Sequence, residues 1–213
     1  VSMNPLNNYP IILASSSPRR KQLLEQIDLK FEVIPSNVHE DFSIDLSPPD
    51  FVEHYAREKA SDVAINHPNH YVIGADTVVV FESEILGKPK DRNDSFRMLK
   101  RLSGNTHQVY TGVSIQHLKS AISETFHAIT YVAFNTLTDD VIYYYIDTYN
   151  PFDKAGSYGI QDWFSVCVNQ IDGCFYNVMG FPLSKFYNHS LLFIINITVA
   201  FSQNHHRCLF TKS

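Results

Sequence analysis

Three serines, a proline and two arginines, Ser15-Ser16-Ser17-Pro18-Arg19-Arg20, close the short apolar run Ile11-Ile12-Leu13-Ala14. Ser17 is a good helix N-cap and Pro18 a good first helical residue, so a helix is expected to open here and to carry Leu23, Leu24 and Ile27 on one face. Its free backbone N–H groups would point at anything bound in front of it. Two guanidinium groups beside them suit an anion, and a phosphate above all. The plainer alternative is a capped helix with two solvated arginines.

Asp76 follows Val72-Ile73-Gly74-Ala75 within a β-branched run. An unpaired carboxylate is costly to bury, so Asp76 needs a cleft, a cation or hydrogen-bond donors. Capping a turn is its other reading. Lys88, in Gly87-Lys88-Pro89, sits between turn residues that fix the backbone and so can aim its ammonium. Lys59, in Arg57-Glu58-Lys59-Ala60, reads by itself as part of a charged helix face, and Glu40, in Val38-His39-Glu40-Asp41, as an ordinary loop acid. In the small-residue loop from Asp153 to Gln161, Gly156 and Gly159 allow close backbone approach to a ligand. Gln161 offers one acceptor and two donors, enough to pair with a pyrimidine edge. Trp163 has two readings, stacked on a base or filling the core.

Several blocks occur in one order along the chain. They are Ser15 to Arg20, Gly74-Ala75-Asp76-Thr77-Val78-Val79-Val80, Leu86-Gly87-Lys88-Pro89, Leu102-Ser103-Gly104-Asn105-Thr106-His107, and Asp153-Lys154-Ala155-Gly156-Ser157-Tyr158-Gly159-Ile160-Gln161. Together, from about Ile11 to Tyr187, the chain resembles the Maf family of nucleotide pyrophosphatases. The resemblance implies a mixed α/β fold like that of inosine triphosphate pyrophosphatases: a twisted mixed sheet flanked by helices, with a central cleft between two lobes. It implies hydrolysis of a nucleoside triphosphate to the monophosphate and pyrophosphate, a house-cleaning of the nucleotide pool.

The same resemblance supplies roles. Ser15, Ser17, Arg19 and Arg20 would grip phosphates, and Lys59 and Lys88 would stabilise developing charge. Asp76 and Glu40 would hold Mg²⁺ or Mn²⁺ and activate water, the cation taking its remaining oxygens from the substrate. Gln161 resembles the residue of the dTTP/UTP-preferring subgroup, and Thr77 would help it read the base. A homodimer and a cytoplasmic location are implied in the same way. Two departures bear on the substrate: His39 replaces one acid of a pair, and Asp162-Trp163 replaces a more usual glycine. The alternatives are therefore the same reaction on another or modified base, such as 7-methyl-GTP, and a nucleotide-binding regulator without turnover. A pure binder has no need of Asp76.

Composition bounds the rest. The 213 residues are 44% hydrophobic and 13% aromatic, enough for a proper core. The formal net charge of −5 speaks against a general nucleic-acid binder, so an anionic substrate needs a local basic cluster. Cys167, Cys174 and Cys208 lack metal-ligand spacing, and a reduced setting is expected, with Cys167 and Cys174 facing across a hairpin. No apolar run is long enough to span a bilayer, the longest (Leu191 to Phe201) being broken by Asn196. The glycosylation-type triplets at Asn93, Asn188 and Asn196 are read as chance, and no phosphate-binding P-loop or Gly-x-Ser-x-Gly elbow occurs.

These residues need elements to hold them. Strands are expected at Ile11 to Ala14, Phe31 to Ile34 and Tyr71 to Phe81, the last buried on both faces. Pro35 to Pro49 reads as a loop, and a helix from Ser47-Pro48-Pro49-Asp50 to about Ile65 presents Phe51, Val52, Tyr55, Ala56, Val63 and Ala64. A third helix covers Asp94 to Leu102, a hairpin pairs Val109 to Leu118 with Ser123 to Phe134, and Thr138 caps a helix to Tyr149. A second hairpin, Val166 to Val178, is expected to turn at Asp172-Gly173, and a short helix to start near Pro182. The resulting division is an N-terminal extension over 1–10, beginning with a vector remnant, one two-lobed domain over 11–189, and an atypical tail over 190–213 whose paired His205 and His206 read as solvated.

Overall fold

The structure is a computed structural model that describes residues 4–191. The tail beyond 191, with Cys208 and the paired histidines, lies outside the described residues. In chain order the elements are β1 (Ile11–Leu13), α1 (Pro18–Gln26), β2 (Glu32–Val33), α2 (Pro48–Ala64), β3 (Tyr71–Phe81), β4 (Glu84–Leu86), α3 (Arg92–Leu102), β5 (Thr106–His117), β6 (Ile122–Phe134), α4 (Asp139–Tyr149), β7 (Val168–Asp172) and α5 (Phe175–Val178). A further helix opens at Leu183, one residue after Pro182. The strands form one seven-stranded mixed sheet in the order β2-β1-β3-β5-β6-β7, with β4 on β3. The pairs β1–β2 and β1–β3 are parallel and the others antiparallel.

Helices cover both faces of the sheet, which is why β3 reads as a nearly continuous apolar run. On one face α2 packs Phe51, Val52, Tyr55, Ala60, Val63 and Ala64 against Val72, Val78 and Val80 of β3. On the other, Ile73 and Ala75 meet Leu23 and Leu24 of α1, while Val79 joins the large cluster under α3 and α4. Two glycines set how close α2 comes. A Cβ at Gly74 would lie 2.2 Å from the Ala56 carbonyl oxygen, and one at Gly112 the same distance from that of Val52. Any larger residue would push the helix off the sheet.

One edge of β3 is interrupted. β1 pairs with it only as far as Leu13 opposite Ile73, and β4 begins only at Leu86 opposite Val79. Between them the β3 residues from Gly74 to Val78 have no strand on that side. A break in a sheet edge is reachable from both faces, so successive side chains, which alternate faces along a strand, can reach one space through it. β3 places Asp76 on the α2 face and Thr77 on the other.

Several expectations need correction. The segment 166–178 is not a hairpin. β7 adds to the edge of β6, while Phe175 to Val178 coil into α5. The buried Asn177 side chain accounts for this: its amide donates to the Val109 carbonyl (3.0 Å) and the Thr130 hydroxyl (3.0 Å) on neighbouring strands, which a hairpin strand could not reach. Cys167 and Cys174 accordingly do not face each other across strands and are free thiols. β4 was not expected, because its two-residue turn uses Glu82 and Ser83 at φ 50° and 67° instead of Asn-Gly. α3 also begins earlier than expected, at Arg92, with Asp91 as its cap.

Gly74→Ala should lower the melting temperature by roughly 5–10 °C, the effect of an overpacking cost of about 2–3 kcal/mol in a chain of this size. Thermal unfolding followed by circular dichroism checks it; an unchanged midpoint would mean that α2 has room to retreat.

Candidate active site

The interrupted edge of β3 opens into a cavity of about 500 Å³. Ala14 to Arg20, the loop around Val38 to Glu40, Lys59, Asp76 to Val79, Lys88, the Asp153–Gln161 segment and Val178 to Gly180 line it. All ten residues singled out for chemistry meet here: Ser15, Ser17, Arg19, Arg20, Glu40, Lys59, Asp76, Thr77, Lys88 and Gln161.

On the α2 face, the Lys59 ammonium donates to Asp76 Oδ1 at 2.7 Å and to Glu40 Oε1. Lys59 lies midway along α2, and the glycine-permitted contact brings it over the strand. Asp76 is only 5% exposed, and its Oδ2 is buried without a hydrogen-bond partner. A buried orphan carboxylate oxygen facing a cavity needs a proton, a water or a cation. Desolvation pushes the Glu40 carboxyl up, but the Lys59 charge and hydrogen bond, helped by Lys88, hold it below its ordinary value. Lys88 itself is exposed at the rim.

On the other face, Ser17 caps α1 by accepting from the Arg20 N–H, and the Ser15 hydroxyl accepts from the Ser17 N–H at 3.2 Å. Arg20 folds back along the cavity wall and donates to the Gly180 carbonyl (2.9 Å), the Ser15 hydroxyl (3.2 Å) and the Thr77 hydroxyl (3.0 Å). Burial pushes its pKa down while the nearby Asp76 charge opposes the shift. Arg19 reaches across the cleft to Asp153, 2.6 Å from Oδ2, and Lys154 holds the other oxygen at 2.7 Å. The sequence by itself assigns no role to Asp153 or Lys154. The Arg19–Asp153 bridge across the cleft joins residues 134 positions apart, a relation with no signature in the local sequence.

Gln161 is exposed at the rim, and its amide makes no hydrogen bond among the described residues. Trp163 resolves to the core reading: it packs on the rings of Tyr144, Tyr145 and Tyr149 and does not line the cavity. The neighbouring Asp162 caps the turn after it and accepts from the Tyr145 hydroxyl at 3.1 Å. The Asp162-Trp163 departure therefore falls on structure behind the cavity.

The profile of Maf-like proteins matches residues 10–190. The chain belongs to the Maf family. The Maf match takes in the entire cavity lining, from Ala14 to Gly180. A protein from Acetivibrio thermocellus named dTTP/UTP pyrophosphatase is 48% identical over 182 residues, covering 82% of this chain and 90% of that protein. One of the same name from Bacillus cereus is 46% identical over 190 residues, covering 89% of this chain and 98% of that protein. A solved dITP/XTP pyrophosphatase from Mycobacterium abscessus superposes with a TM-score of 0.42 and 11% identity, over 60% of this chain and 75% of that one. No helix among the described residues of this Maf protein is long and apolar enough to cross a membrane.

The lowered Glu40 pKa has a signed consequence. The stabilisation it brings is complete above the ordinary glutamate value of about 4.3 and is lost as pH falls through the lower folded value. Glu40→Gln should thus be less stable than the wild type at pH ~7, with the gap closing towards pH ~3. Urea titrations across that range measure it, and a gap independent of pH would disprove the Lys59–Glu40 coupling.

Proposed function

We propose that this protein hydrolyses dTTP and UTP to the monophosphate and pyrophosphate. The observation that carries the reading is the Lys59–Asp76–Glu40 array, with Asp76 Oδ2 unpartnered, facing a cavity whose opposite wall is cationic. The named relatives support the substrate class, and so does Gln161 at the rim with its amide free to meet a base. Residues 11–189 are taken as one unit, the lobes lying on either side of this cleft.

Water attacks the α-phosphorus, and the bond to the α–β bridging oxygen breaks, so that pyrophosphate leaves. Asp76 Oδ2 takes the proton of the attacking water, while Lys59 fixes Oδ1 and thereby the carboxylate plane. Arg19, Arg20, Lys88 and the N–H groups at the start of α1 meet the phosphate oxygens and neutralise the leaving group. Ser15 and Ser17 shape that helix start. A divalent cation fits this donor set. The described residues hold no cluster of three or more metal-ligating side chains, and Mg²⁺ is commonly held by one or two carboxylates plus substrate phosphates. Asp76 and Glu40 would hold Mg²⁺ or Mn²⁺, which when bound supplies Lewis-acid polarisation of phosphate oxygens.

The regulator reading has no use for a buried, partly unsatisfied Asp76. The placement of Trp163 behind the cavity removes one reason to expect a different base.

Pyrophosphate release from a panel of canonical and modified nucleoside triphosphates, with Mg²⁺ and with EDTA, tests the reading. Release should require the metal and be fastest with dTTP or UTP; binding without turnover would overturn it. Asp76→Asn should slow turnover by roughly a hundred-fold or more. Gln161→Ala should lose discrimination among bases more than rate, and an equal loss on every nucleotide would exclude base reading by Gln161.

A further inference from the structure

Phe51, Tyr55, Lys59 and Asp62 recur along α2 at helical spacing and so share one face. All four touch the same loop. Asp62 Oδ2 accepts from the Ser36 hydroxyl (3.0 Å) and from the Asn37 N–H (2.9 Å). The Lys59 ammonium meets Glu40 as well as Asp76. The Tyr55 hydroxyl accepts from the Asp41 N–H at 2.6 Å and donates to the Asp41 carbonyl at 3.2 Å. Phe42 packs on Phe51, ring centroids 5.2 Å apart. The loop is thus tied along the helix, and Glu40 is the residue in it that reaches the Lys59–Asp76 pair.

The Tyr55 contact is unlike the others. A backbone N–H only donates and a carbonyl only accepts, so the single hydroxyl proton and one lone pair are both committed to Asp41. The ring behind them is 5% exposed and packed in the cluster with Val78 and Val80, which makes the hydroxyl a fixed point. The Asp41 nitrogen belongs to the peptide bond that joins it to Glu40. That bond is planar, so holding its N–H fixes the chain as it leaves the Glu40 Cα. Asp62 anchors the loop upstream, and only Val38, His39 and Glu40 lie between the two anchors. The Lys59–Glu40 ion pair cannot set this orientation by itself. An ammonium is a point charge on a flexible stem, and it attracts a carboxylate without aligning it.

We propose that Tyr55 is a positioning residue for Glu40: by holding the peptide that follows, it keeps the Glu40 carboxylate on the same ammonium as Asp76, where the two acids would share a divalent cation. The proposal rests on the metal role given to Asp76 and Glu40 above.

Mn²⁺ binding to the wild type, Tyr55→Phe, Glu40→Gln and the double variant tests it. Each is measured with α,β-methylene-UTP, which cannot be cleaved at the α–β bridge, and binding is read as loss of the free-ion EPR signal beyond that caused by the analogue alone. Tyr55→Phe removes one oxygen and keeps the ring. Asp41 is exposed, so water takes up the two freed backbone groups and the variant folds. Its Mn²⁺ dissociation constant should rise about tenfold or more, the usual effect of losing a group that orients a metal ligand. The Mg²⁺ concentration for half-maximal pyrophosphate release should rise in step. A merely structural role would lower the melting temperature and leave both constants alone. In the Glu40→Gln background, adding Tyr55→Phe should change the Mn²⁺ constant by less than about twofold, because Tyr55 acts only through Glu40. A raised constant in Glu40→Gln with an unchanged one in Tyr55→Phe would overturn the proposal alone, and so would an equal rise from Tyr55→Phe in both backgrounds. A wild-type constant in Glu40→Gln would take Glu40 off the cation and overturn the metal reading with it.

Discussion

The contact between Lys59 and Asp76 is the constraint around which this site is built. A carboxylate in the middle of a sheet strand, 5% exposed, is tolerable only with a cation beside it. That cation comes from the middle of α2, and it arrives because Gly74 and Gly112 let the helix backbone touch the sheet. Helix position, strand glycines and the ion pair are thus one requirement. The array also leaves one Asp76 oxygen unpaired in a cavity, an arrangement that costs stability and is useful only to a ligand or a reaction.

The second determinant is topological. β1 and β4 share one edge of β3 but do not meet, and the gap exposes the β3 residues on both faces. This is why neighbouring residues with opposite orientations serve the same cavity. Asp76 faces the α2 side, with Lys59 and Glu40. Thr77 faces the α1 side, where it meets Arg20, Thr111 and the Gly180 carbonyl.

Charge is distributed in keeping with this. The chain carries a net −5, yet Arg19, Arg20, Lys59, Lys88 and Lys154 all line one cavity. Such local focusing draws an anion without a basic surface. Asp153 partly neutralises the cluster by bridging Arg19 and Lys154, holding both cations at the mouth of the cleft.

Much of this was legible in the sequence because it is local. The cap at Ser17, the buried run of β3, the α2 stripe, the long β5–β6 hairpin and the helix after Thr138 depend on neighbours within a few residues, where propensity and periodicity act. The residue types at Arg19, Arg20, Asp76, Lys88 and Gln161 announced phosphate and base chemistry, and the ordered blocks pointed to the family. The sequence could not show that β7 joins β6 while 175–178 coil, since the deciding bonds are those of Asn177 to distant strands. Nor could it show that Lys59 and Glu40 meet at Asp76, that Asp153 spans the cleft, or that Trp163 belongs to the core. Those facts depend on the approach of elements far apart in the chain. Residue chemistry and local backbone preference are written residue by residue, whereas which charges touch, and which polar atoms are left without a partner, exist only once the sheet has closed and water has left.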